Sequence, residues 1–104
     1  MVTILTQRNS IANHYIAELR NVHVQNDRMR FRKNIERIGE TIAYKISETL
    51  TYLPQQIETP LGIANTNLID DQPVIISIMR AGLPFHQGFL NIFDQADSGF
   101  IAAY

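Results

Sequence analysis

An α/β fold is what this sequence predicts: amino-terminal helices followed by part of a mainly parallel sheet. Three observations lead there. Phe31, Ile35, Ile38, Ile42, Ile46 and Leu50 keep an i, i+4, i+7 rhythm, which marks one long amphipathic helix. Val74, Ile75, Ile76, Ser77, Ile78 and Met79 form a nearly continuous apolar run, too short for a typical helix and suited to a strand covered on both faces of a parallel sheet. Between that run and a second apolar run at 100–104 lies a helical pattern opened by Pro84. Strand, helix and strand then make a right-handed crossover unit with its two strands parallel.

Taken in order, the first helix is placed at 10–20, where Ile11, Ala12, Tyr15, Ile16 and Leu19 recur at helical spacing behind Ser10 as N-cap. Residues 21–27 are polar and read as a loop, with Asp27 placed to cap the long helix at 28–52. That helix is expected to bury one complete face, with Tyr44 packing near the stripe. Its Arg28, Arg30, Arg32, Lys33 and Arg37, partly offset by Glu36 and Glu40, read as a solvated face. Pro54 ends the helical reading because it lacks an N–H donor and disfavours helix in the residue before it. Thr59-Pro60 and Gly62 break any regular period in 55–68, which is read as an extended arm or loose hairpin. Asp70, Asp71 and Pro73 form a turn, followed by a strand at 74–79, a helix at 84–93 and a strand at 100–104. These elements are read as the amino-terminal part, residues 1–104, of a single domain. Two parallel strands leave edges that a complete sheet would pair, so the fold is expected to be incomplete in this chain or covered by a partner.

Composition narrows the class of function. At 45% hydrophobic and 18% charged, the 104 residues can build a core and do not resemble a disordered segment. A formal net charge of -1 excludes a broad field that would attract nucleic acid or an anionic membrane, so any anion site must be local. The absence of cysteine excludes disulfides, thiolate metal sites and a cysteine nucleophile, and it fits a reducing compartment. The first residues have no long apolar run, so a cytoplasmic protein without signal peptide or membrane span is expected.

The chemistry concentrates at Met79-Arg80-Ala81-Gly82-Leu83-Pro84, where a buried strand passes through small residues into a helix. Ligands of open α/β sheets bind outside the carboxyl ends of the strands. Backbone N–H groups of Ala81, Gly82 and Leu83 beside a helix amino-terminus favour an anion, and Arg80 can add a charge-assisted contact to a phosphate. Arg80, Ala81 and Gly82 are therefore the candidate phosphate-binding residues, with Leu83 a further candidate. His86 reads as an unremarkable, partly exposed histidine in the first turn of the helix. His14 and His23 share no metal-ligand spacing with it, so no metal ligands are assigned, and no catalytic residue is identified.

Ile57-Glu58-Thr59-Pro60-Leu61-Gly62, then Ile78-Met79-Arg80-Ala81-Gly82-Leu83, then Gly88-Phe89-Leu90 and the strand ending in Tyr104 resemble, in order and spacing, the first half of the bacterial uracil phosphoribosyltransferases. Phe31-Arg32, Ile38-Gly39 and Ala43-Tyr44 resemble that family's amino-terminal helices. The resemblance implies a sheet of the phosphoribosyltransferase type. It also implies transfer of ribose 5-phosphate from 5-phosphoribosyl pyrophosphate (PRPP) to uracil, giving UMP and pyrophosphate in pyrimidine salvage, with Mg²⁺ accompanying PRPP. Arg80 with the backbone of Ala81 and Gly82 would belong to the pyrophosphate-binding loop, and the protein would be a homo-oligomer, a dimer or higher. The family's ribose-phosphate loop and uracil loop lie further along than Tyr104, so the 104 residues alone are expected to be inactive. Ser77 stands where the family often has proline, and Pro84-Phe85-His86-Gln87 replaces a more usual glycine-rich, aspartate-containing stretch. A dimerising or phosphate-binding module without catalysis, and a regulator of pyrimidine genes, stay open beside the enzyme.

Overall fold

The computed structural model describes residues 2–79 and 82–102. A short 3-10 turn at Leu5–Gln7 leads into helix α1, Ala12–Arg20, and helix α2, Arg28–Ser47. Strands β1, Tyr52–Thr59, and β2, Gly62–Ile69, follow, then β3, Ile75–Met79, helix α3, Leu83–Ile92, and β4, Ser98–Ala102. The fold is mixed α/β, as the sequence predicts. β3 and β4 are parallel, with Ser77 opposite Phe100 and Ile78 opposite Ile101, whereas β1 and β2 form a separate antiparallel pair.

Local chemistry accounts for the helix starts. The Ser10 hydroxyl accepts from the Ala12 N–H at 3.2 Å, one residue ahead of the assigned N-cap Ile11. Asp27 caps α2 by accepting from the Arg30 N–H at 3.1 Å. α1 lies against α2 through buried Ala12, an Asn34 amide donating to Glu18 at 2.7 Å, and the Arg37 guanidinium 5.5 Å from the Tyr15 ring centre. Arg30 pairs with Glu18 and Lys33 with Glu36 on the outer side.

α2 departs from expectation in two ways. It ends at Ser47, not at residue 52, because the Ser47 and Thr49 hydroxyls donate to the carbonyls of Tyr44 and Ile46 while Tyr52 is taken up by β1 opposite Ile69. Its buried line is Asn34, Gly39 and Ala43, whereas Phe31 is 41% exposed and Tyr44 62% exposed. The reason is the approach of α3. A Cβ built on Gly39 would lie 2.6 Å from the Phe85 carbonyl oxygen, and one on Gly88 would lie 3.0 Å from the Gly39 Cα. The helices cross glycine to glycine, so the larger apolar residues flank the contact and do not form it.

The arm is more regular than expected: an eight-pair antiparallel ladder from Tyr52↔Ile69 to Thr59↔Gly62. Pro54 sits within β1, opposite Asn67, and not at a helix end. Pro60 and Leu61 make the tip, and the Thr59 hydroxyl donates to the Gly62 carbonyl at 2.6 Å. Gly62 leaves the turn at φ +130, a conformation that side-chain-bearing residues rarely adopt. Every side chain between Tyr52 and Glu58 and between Gly62 and Leu68 is exposed, and the two strands make their extensive contacts only with each other. The arm accounts for a molecule 53 Å long with a radius of gyration of 16.9 Å, against about 13 Å for a compact chain of this length.

β3 corrects another expectation. Its pattern alternates: Ser77 is buried against α3, with Ile75 and Met79 partly covered, while Ile76 is 59% and Ile78 62% exposed on the opposite face. One face is covered, not two. The chain exposes 8335 Å², well above the roughly 6,000 Å² of a folded monomer of its mass.

Candidate functional site

The carboxyl end of β3 and the amino end of α3 meet at Gly82, the N-cap of the helix. No side chain caps this end, and the first turn carries no acid. The His86 N–H donates to the Gly82 carbonyl at 2.8 Å, Pro84 has no N–H, and the remaining first-turn N–H groups of Leu83 and Phe85 precede the helical ladder. A bare helix amino-terminus at the carboxyl end of a parallel strand is suited to an anion. Of the sequence-derived site residues, Gly82 and Leu83 lie here, whereas Arg80 and Ala81 lie outside the described residues.

Gly82 has φ -79, which any residue can adopt. Its lack of a side chain serves proximity: a Cβ there would fall 2.5 Å from the Ser77 hydroxyl and 3.1 Å from the Ile78 carbonyl. Gly82 is seated directly on β3. Beside the α3 terminus, Arg32, Lys33 and Glu36 from α2 share an open depression with Leu83 and Pro84, and Lys33 is paired with Glu36 there. The basic half of α2, read from sequence as a solvated face, thus places Arg32 and the Lys33–Glu36 pair beside the helix end.

His86 corrects the sequence reading. It is 5% exposed, and among the described residues neither ring nitrogen has a hydrogen-bond partner. Its ring lies 4.8 Å from that of Phe100, tilted by 35°. Together with Ser77 it lines a cavity of about 340 Å³ that runs beside β3 toward Pro73, walled by Ile46, Val74, Phe89 and Phe93. That cavity faces the amino half of the strand, away from the anion turn. His14 and His23 are exposed and remote from this cluster in sequence. Among the described residues no group of three or more His, Asp or Glu stands where it could hold a metal ion.

Comparison with known proteins bears on what the turn belongs to. The family model described as uracil phosphoribosyltransferase matches residues 5–104. The chain belongs to the uracil phosphoribosyltransferase family. It is 48% identical over 100 residues to the uracil phosphoribosyltransferase of Porphyromonas gingivalis, covering 96% of this chain and 46% of the relative. It is 35% identical over 105 residues to that of Sulfolobus acidocaldarius, covering 98% of this chain and 48% of the relative. The chain therefore spans about half the length of the relatives it matches. The solved structure of the AQ2163 protein from Aquifex aeolicus shares the fold, with a TM-score of 0.72 over 89% of this chain and 44% of that one at 22% identity. Among the described residues, no helix of this family member is long and apolar enough to cross a membrane.

Proposed function

We propose that the protein is a phosphoribosyltransferase that moves ribose 5-phosphate from PRPP to uracil, releasing pyrophosphate and forming UMP. The observation that supports this best is the uncapped amino end of α3, pressed onto the carboxyl end of β3, inside a segment that matches the family from residue 5 to 104. In such a transfer the sugar carbon gains positive charge as its bond to pyrophosphate breaks, while negative charge builds on the leaving group. Fixed N–H dipoles aimed at that leaving group favour the transition state without reorganising during the reaction. Arg80 supplies a full positive charge, the backbone of Ala81 and Gly82 supplies donors, and Leu83 carries the first helical N–H. Mg²⁺ enters as the counter-ion of the diphosphate substrate.

Uracil-dependent UMP formation from PRPP and Mg²⁺, measured with the protein expressed from its complete gene, tests this reading. Turnover that requires uracil is expected, and a folded protein of confirmed mass with none would reject the enzyme in favour of a phosphate-binding or assembly module. The 104 residues alone are expected to show no turnover, since they span under half of the P. gingivalis enzyme.

The protein is further proposed to work in the cytoplasm as a homo-oligomer held by the arm. Leu53, Ile57, Leu61, Ile63 and Leu68 present apolar side chains on a hairpin that nothing else covers extensively. Light scattering should give a dimer or larger, and Leu61→Asp with Ile63→Asp should shift it toward monomer. A monomeric parent protein would remove the arm from this role.

A further inference from the structure

The arm has two unlike faces, and the register of its ladder assigns the side chains to them. Register partners share a face, and every second residue along a strand returns to it. Leu53↔Leu68, Gln55↔Thr66 and Ile57↔Ala64 therefore stand on one face, with Pro54↔Asn67, Gln56↔Asn65 and Glu58↔Ile63 on the other. The second face carries Glu58, the one charged side chain of the two strands, and is polar through its middle. The first is uncharged, with an apolar pair on either side of Gln55 and Thr66.

Both faces are exposed, and a two-stranded hairpin is marginally stable in water until something covers it. A surface that meets its own copy across a two-fold axis has to tolerate itself, because a charge near the axis faces the same charge. The uncharged face meets that condition, and its side-chain sizes fit as well. Turned end for end, it sets the Leu53–Leu68 pair of one copy against the smaller Ile57–Ala64 pair of the other, so large side chains oppose small ones. We infer that two copies stack their arms face to face in opposite directions through Leu53, Ile57, Ala64 and Leu68, with the two-fold axis at Gln55 and Thr66. This rests on the reading of the arm as the oligomer contact, and it adds the face, the direction and the axis. Strands of this length, with a rise of ~3.4 Å per residue and a spacing of ~4.8 Å, give each face about 270 Å². That is about a third of the ~800 Å² per partner of a stable interface, so the stacked pair should dissociate on dilution.

The test follows the protein from its complete gene by light scattering through a dilution series. Gln55→Lys and Gln55→Glu should each weaken the dimer at least tenfold, because each sets like charges together at the axis, and an equimolar mixture of the two should recover association within a few fold of the parent. Gln56→Lys, one residue along on the other face, should associate within twofold of the parent. Gln55 and Gln56 are both exposed, so the variants should keep the parent's circular dichroism and melting temperature. Gln55 variants that associate as tightly as the parent, or a mixture no better than its components, overturn this inference, and the arm keeps its role if Leu61→Asp with Ile63→Asp still gives monomer. A parent that stays monomeric, or an oligomer that none of these substitutions weakens, overturns the arm reading and this inference with it.

Discussion

Gly88→Ala is expected to destabilise the protein by about 3 kcal/mol or more, the upper range for overpacking a tight contact. The sign is the informative part. Within a helix, replacing glycine by alanine normally stabilises by about 1 kcal/mol, because alanine loses less backbone freedom. At Gly88 the added methyl would run into the Glu36 carbonyl oxygen, the Glu40 N–H nitrogen at 2.9 Å and the Gly39 Cα at 3.0 Å. All three are backbone atoms of α2, so no side chain can swing aside and the helices must separate. Separation would strain the bond from the Asn91 amide to Glu36 at 2.7 Å and lift α3 from β3, taking Gly82 off its seat on Ser77. The melting temperature should fall by many degrees. Gly39→Ala should act similarly, and the double variant should lose less than the sum, since one methyl already parts the helices. A Gly88→Ala protein that melts at or above the parent would show that the helices do not cross there.

Arg80→Ala, in the protein from its complete gene, is expected to lower kcat/KM for PRPP by tens of fold or more. A charge-assisted hydrogen bond to a phosphate contributes on the order of 2 kcal/mol, and tenfold in rate corresponds to about 1.4 kcal/mol. Arg80→Lys should recover only part of the activity, because lysine keeps the charge and loses the two-pronged geometry. Stability should change little in both variants. Near-parental kinetics for Arg80→Ala would remove it from the pyrophosphate site.

The fold class, the parallel pair and the start of α3 behind β3 were legible because they rest on strong, local signals: a nearly continuous apolar run at 74–79 and a proline at the start of a helix. What was not legible depended on packing between elements. Counting apolar side chains on α2 picks out Phe31 and Ile46, but close approach selects Gly39 and Ala43, and glycine leaves no mark in such a count. His86 had a usable signal, since it precedes Phe89 by three and Phe93 by seven and so shares their inward face, yet its polarity suggested the surface. An apolar run such as 74–79 likewise signals suitability for burial on both faces, while the structure covers one.

The arm also bears on how the molecule unfolds. Cooperative melting requires that each part lean on the others, and the β1–β2 ladder makes its extensive contacts only within itself. In an isolated copy it should open at a free energy set by its own eight pairs and not by the α2–α3 crossing, so calorimetry would give a van't Hoff enthalpy below the calorimetric one. Association through the arm would merge the two events, and the cooperativity of heat unfolding would then belong to the assembly and depend on protein concentration.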